Sequence, residues 1–175
     1  MLQGLSFDDL DGGIVNEKGY RSLLAGPTPE VYAFDTPKDE AEFIGEQVNG
    51  LLERKKPTDI CIVARTNKQL QDVYRPVLRS LNIKHTVLDK DNRLKGVAVA
   101  TMHRDKGLEF TVMILAGINE NTIPLKVKSI ASDPAALKEH LNRERSLLFV
   151  AATRARDVLI ITSSGTPSRF IQGNK

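Results

Sequence analysis

Cysteine occurs once and histidine three times in the 175 residues. No apolar run approaches the roughly 20 residues that a membrane-spanning helix requires. A lone thiol excludes a disulfide within the chain, and Cys61, inside Ile60-Cys61-Ile62-Val63, reads as a small buried hydrophobe. No His or Asp stands in a relation to it that would make it a nucleophile. His85, His103 and His140 have no paired Cys/His spacing, so a zinc site has no support. Met1 to Asp11 holds no basic stretch followed by an apolar one, so no secretory signal is read and a cytoplasmic address is expected. Two pieces of phosphoryl-transfer chemistry are also lacking. No G-x-x-x-x-G-K-[ST] loop occurs, and no acidic pair follows a strand in a way that would hold Mg²⁺.

What is present is ordinary globular material, 41% hydrophobic and 27% charged, of a length that suits one domain with a buried core. The net charge of +3 hides an asymmetry. Residues 1–60 carry 12 acids and 6 bases, whereas residues 61–175 carry 10 acids and 19 bases, which sums to 22 and 25. An anionic partner would bind the basic part, and nucleic acid is one such partner.

Residues 1–29 are rich in Gly and Asp and show no period, the pattern of an irregular N-terminal arm. The remainder, 30–175, alternates strands with helices. Val31–Phe34 is a short strand, and Thr36-Pro37-Lys38-Asp39 opens a helix whose stripe is Ala41, Ile44, Val48, Leu51 and Leu52. Ile60–Ala64 is an apolar run of the kind buried on both faces of a parallel sheet. A second helix follows, with Leu70, Val73, Tyr74, Val77, Leu78 and Leu81 on its inner face, then a short strand at Thr86–Leu88 and a polar loop at Asp89–Lys95. Val97–Ala100 and Val112–Leu115 are two more buried strands, a long helix runs from Asp133-Pro134 to about Thr153, and Val158–Ile161 is the last strand. This order predicts an α/β, three-layer domain on a mostly parallel sheet, with right-handed crossovers and ligands at the carboxyl ends of the strands. Thr101, His103, Arg104, Lys106 and Glu109 are expected together at one such end, and Arg65, Thr66 and Asn67 at another.

A hydroxyl, an imidazole and an ammonium on one short loop, Thr101, His103 and Lys106, make a phosphate grip, and Gly107 permits positive φ or close backbone approach. The bland alternative is a solvated turn with Leu108 and Phe110 inserted in the core. The whole stretch Thr101-Met102-His103-Arg104-Asp105-Lys106-Gly107-Leu108-Glu109-Phe110 resembles motif V of the UvrD/Rep-type superfamily 1 DNA helicases, T-x-H-x-A/S-K-G-L-E-F, with seven positions matching in ten residues. Asp105 departs from the small residue usual there, and its carboxylate should weaken the grip unless Arg104 or Lys106 neutralises it.

Glu144-Arg145-Ser146-Leu147-Leu148-Phe149-Val150-Ala151-Ala152-Thr153-Arg154-Ala155 resembles motif VI of the same family, with Phe149 where a tyrosine is usual. A third stretch, Ile60 to Asn67, is similar to the strand and R-T-N turn of that domain, and Pro167-Ser168-Arg169-Phe170 to its closing sequence. Gly19-Tyr20-Arg21-Ser22 is set apart from the family's N-Y-R-S motif, because its spacing to the first helix is too short.

The resemblance implies a second RecA-like motor domain without its large inserted domain, since only about nine residues separate the strand near Val87 from Val97. It implies that Thr101, His103 and Lys106 touch the backbone of single-stranded DNA, and that Glu109 and Gly107 serve the nucleotide. It also implies that Arg154 reaches the γ-phosphate of ATP as an arginine finger, a role that a planar, permanently charged guanidinium suits. The dipole at a helix C-terminus is the competing account of Arg154. Arg65 and Asn67 are implied as phosphate or base-edge ligands, with a strand-ending turn and an Asn helix cap as the alternative. Arg145 is expected to organise the site, paired to Glu144 or a neighbour. ATP, with Mg²⁺ held by an N-terminal RecA-like domain of the parent protein, is the implied cofactor. The chain alone, without a phosphate loop, is expected to be inactive as an ATPase. The alternative function is a stand-alone, non-catalytic DNA-binding or regulatory module that keeps the fold.

Overall fold

The structure is a computed structural model that describes residues 28–88, 94–104 and 107–172. Lys106 and Asp105, most of the arm over 1–29, the Gly19–Ser22 stretch and most of the Asp89–Lys95 loop therefore lie outside the described residues.

Strand β1 (Glu30–Phe34) leads into helix α1 (Pro37–Leu51), which Thr36 caps by accepting the Asp39 N–H at 3.2 Å while Pro37 supplies the first helical residue. Ala41, Ile44 and Val48 form its buried stripe, as the period requires. Strand β2 (Ile60–Ala64) follows, then a continuous helical stretch in three parts: α2 (Asn67–Gln69), a π-helical turn (Leu70–Tyr74) and α3 (Arg75–Ser80). Its cap is Thr66, in a reciprocal box with Gln69, so Asn67 is the first helical residue and not the cap. Leu70, Tyr74 and Leu78 are buried, whereas Leu81 lies past the helix end and is 43% exposed.

Strands β3 (His85–Val87), β4 (Val97–Thr101) and β5 (Phe110–Ala116), helix α4 (Pro134–Ala152) and strand β6 (Ala155–Ser164) complete the order. β6 begins three residues earlier and ends three later than its apolar centre predicts, because parallel pairing with β5 and β1 continues through Ala155 and the hydroxyl residues Thr162–Ser164.

The six strands make one sheet in the order β1-β6-β5-β2-β4-β3, and every pairing is parallel. Alternate residues feed two cores, as the period of two demands. Ile60, Ile62, Val99 and Ile114 pack under α1 and the 67–80 stretch, and Cys61, Val63, Met113 and Leu115 pack under α4 and the C-terminal Phe170 and Ile171. That is the expected three-layer arrangement. β1 is an edge strand, and its Val31 is 53% exposed.

One expectation about placement fails. Ala64 pairs with both Thr101 and Ala116, so Thr101 lies at the carboxyl end of the sheet, whereas Phe110 opens β5 opposite Ala155 at the amino end. β4 and β5 are parallel, so the segment between them must cross the length of the sheet, about 20 Å for seven residues at about 3.3 Å each. Glu109 is thus at the opposite end from Thr101 and His103, not beside them.

Candidate functional site

At the carboxyl end, a groove of about 530 Å³ opens between the end of β2, the loop after β5 and one face of α4. Arg65, His103, His140, Arg143, Glu144 and Leu125 are among the residues that line it. Thr101 is buried beneath, and His103 is exposed. Met102 N–H donates to Ala64 O at 3.1 Å and Arg104 N–H to Thr101 O at 2.8 Å, so the turn that carries His103 is fastened to the end of β2. Asn67 is exposed where the next helical stretch begins. Gly107 has φ +83 and nothing within 4 Å of a built Cβ, so positive φ, not close approach, accounts for the glycine.

Arg65 reaches the groove wall with its guanidinium already engaged. Nε donates to Glu144 Oε2 at 2.9 Å and Nη2 to Oε1 at 2.6 Å, a bidentate fork between side chains 12% and 6% exposed. Leu125 N–H adds a third bond to Glu144 Oε2 at 3.1 Å, and Leu125 O meets His140 Nε2 at 2.7 Å. Burial by itself would raise the Glu144 carboxyl, but the hydrogen bonds from Arg65 and Leu125 outweigh it and hold the group below the usual carboxylate range. Arg145 does not pair with Glu144. It lies over the Phe170 ring, 5.4 Å from the centroid, because the carboxylate faces the groove and the next helical position faces the C-terminal tail.

The loop leaving β5 is anchored from several sides. Glu40 on α1 is fully buried and accepts from Gly117 N–H at 2.7 Å, Thr162 Oγ1 at 2.5 Å and Ser164 Oγ at 2.7 Å. Gln69 Nε2 donates to Gly117 O at 3.2 Å. Burial first, and then the Glu40 carboxylate, push the nearby Tyr74 phenol far above its ordinary range. Further along, Ser168 Oγ bonds Ile123 O, and Arg169 Nε donates to Glu120 Oε1 at 2.9 Å, so Pro167–Phe170 fastens the loop from the tail. Glu40, His140 and Arg143 carried no sequence signal. Glu144 did, but its partner is 79 residues away.

At the amino end, α4 stops at Ala152 and Arg154 follows, half-buried, with its carbonyl accepting Phe110 N–H at 3.0 Å. Glu109 precedes Phe110 and is exposed, so Glu109 and Arg154 flank the same pair of strand starts. Arg154 Nε is buried without a hydrogen-bond partner among the described residues. A buried guanidinium N–H left unmatched is costly, and an oxyanion is the ligand that would satisfy it.

The domain is thus a six-stranded parallel α/β sheet with a groove at its carboxyl end, and with Arg154 and Glu109 beside two strand starts at its amino end. The same fold occurs in the solved C-terminal domain of a possible DNA helicase from Lactobacillus plantarum WCFS1, at TM-score 0.64 and 19% identity over 83% of this chain and 79% of that one. Residues 89–166 match the family model of the UvrD-like helicase C-terminal domain. The ATP-dependent DNA helicase PcrA of Staphylococcus epidermidis RP62A is 32% identical over 96 residues, and that of Staphylococcus aureus NCTC 8325 is 33% identical over 96 residues. Each match takes in 49% of this chain and 13% of the relative's length, so the chain spans a small part of those helicases. Over residues 89–166 the chain is therefore similar to the UvrD-like helicase C-terminal domain. No helix among the described residues is long and apolar enough to cross a membrane.

Proposed function

We propose that this chain is the C-terminal motor half of an ATP-driven DNA helicase or translocase, working against an N-terminal RecA-like domain that supplies the phosphate loop and Mg²⁺. ATP sits between the two halves. Arg154 meets the γ-phosphate across that cleft, with Glu109 and Gly107 on the nucleotide side. Thr101 and His103 hold the backbone of single-stranded DNA at the groove, with Lys106 as a further phosphate ligand from the same segment, Asn67 on the rim, and Arg65 in the wall with its fork already taken by Glu144. The chain alone hydrolyses nothing, because Arg154 can stabilise charge in transfer but cannot cradle the phosphates.

The observation that carries this reading is the unmatched Nε of Arg154 just past the end of α4, the helix whose residues from His140 to Val150 line the groove. A 19-residue helix is a rod of about 28 Å. A shift imposed at Arg154 when phosphate is bound or lost is therefore delivered to His140, Arg143 and Glu144 at the DNA end.

The test is Arg154→Ala in the parent protein, with DNA-stimulated hydrolysis and ATP binding measured separately. Turnover should drop on the order of 10³-fold, the scale of a lost arginine finger, with nucleotide affinity changed only severalfold. Unchanged turnover refutes the assignment.

A further inference from the structure

The Arg65–Glu144 pair is an unusual furnishing for a wall that is to hold phosphate. Arg65 carries the fork that best matches a phosphate's oxygens, and the fork is spent on a carboxylate of the same planar, bidentate geometry. Glu144 also takes the Leu125 N–H, so it is fixed from two directions and does not need Arg65 to stay in place. A DNA phosphate entering the groove thus meets an arginine already committed to an internal competitor.

We propose that Glu144 is a positioning residue that withholds Arg65 from DNA phosphate, so that the groove grips a single strand with one cation fewer than its walls carry. The inference rests on the groove being the DNA site. A stepping motor has to release the strand in every cycle, and each permanent phosphate contact slows release. Glu144 keeps the neutralised pair beside the strand and leaves the grip to His103 and the turn that carries it. Because Glu144 stands on α4 ten residues before Arg154, movement of that helix alters the very bond that withholds Arg65.

The experiment measures binding of fluorescein-labelled oligo(dT) by anisotropy over a salt series, for the unaltered chain, Glu144→Gln, Arg65→Met and the double variant. Glutamine keeps the volume and one acceptor for Leu125 but cannot hold the fork. Glu144→Gln should bind severalfold tighter, with the slope of log K against log salt steeper by about 0.7, the value of one added phosphate contact on a single strand. Arg65→Met alone should bind as the unaltered chain does, and the gain from Glu144→Gln should vanish in the Arg65→Met background. An equal gain in that background would mean simple removal of a negative charge, and would overturn the proposal. So would weakened binding by Arg65→Met alone, or no gain from a folded Glu144→Gln. If Glu144→Gln does not fold, Glu144→Asp, one methylene too short for the fork, should show part of the gain, and its absence counts equally against. An unaltered chain that binds no oligo(dT) at low salt overturns the DNA reading of the groove and this inference with it. Normal binding that the variants leave unmoved overturns the inference alone.

Discussion

The carbonyl of Arg154 accepts the amide of Phe110 at 3.0 Å, which joins the residue after α4 to the first residue of β5. The bond uses only backbone atoms, so a change of the Arg154 side chain leaves it in place. Arg154→Lys should therefore leave the thermal midpoint of this chain close to that of the unaltered protein, within about 0.5 kcal/mol of stability. In the parent protein the same substitution should fail to restore turnover and stay at least about 10²-fold low, because an ammonium is a point charge without the planar fork. Calorimetry on the chain and single-turnover hydrolysis in the parent check the two halves, and near-normal turnover by Arg154→Lys would remove the need for a guanidinium.

His103 stands exposed on a turn whose position is set by the Met102–Ala64 and Arg104–Thr101 backbone bonds. His103→Ala should weaken oligo(dT) binding severalfold in a chain that still folds, because the turn is held by backbone bonds that the substitution leaves in place. Normal binding by this variant would take the turn out of the DNA site.

Glu40 accepts three hydrogen bonds from a position with no solvent access. Glu40→Ala should cost about 3 kcal/mol in urea unfolding, because Gly117 N–H and the Thr162 and Ser164 hydroxyls are left without their acceptor. Gly117→Ala should also destabilise, since φ is +69 there and a Cβ would stand 2.6 Å from Tyr74 Oη. Stabilities unchanged by both would mean that the turn after β5 is not held from α1.

The Glu144 carboxyl titrates below its unfolded value, so the bonds from Arg65 and Leu125 contribute stability that is complete above the ordinary glutamate pKa of about 4.3 and is lost as pH falls through the lower folded value. Urea midpoints measured against pH should therefore fall in that acid window, and Glu144→Gln should fall less steeply there. Parallel profiles for the two proteins would deny the pair a part in acid unfolding.

Much of the sheet was legible because burial on both faces leaves a plain mark: Ile60–Ala64, Val97–Ala100 and Val112–Leu115 are unbroken apolar runs, and all three are inner strands. The start of α1 was legible because Thr36 and Pro37 are local signals. The end of the sheet at which Glu109 falls was not, since direction through a connection depends on which strands pair and in what sense. Nor was the partner of Arg65, because an ion pair across 79 residues leaves no period in either segment. The neutral cap at Thr66 was missed for a smaller reason: Asn67 is itself a good capping residue, and only the reciprocal bond from Gln69 decides between them.

β1 and β6, the first and last strands among the described residues, pair with each other, and Glu30 lies against Ile160. At about 5–20 residues per second, a ribosome needs on the order of ten seconds to make the intervening chain. Through that interval Val31 and Tyr32 have no neighbouring strand, and the Glu40 carboxylate lacks Thr162 and Ser164. The β1 edge of the sheet thus closes only when β6 arrives, and the same step brings the Glu40 carboxyl its Thr162 and Ser164 donors.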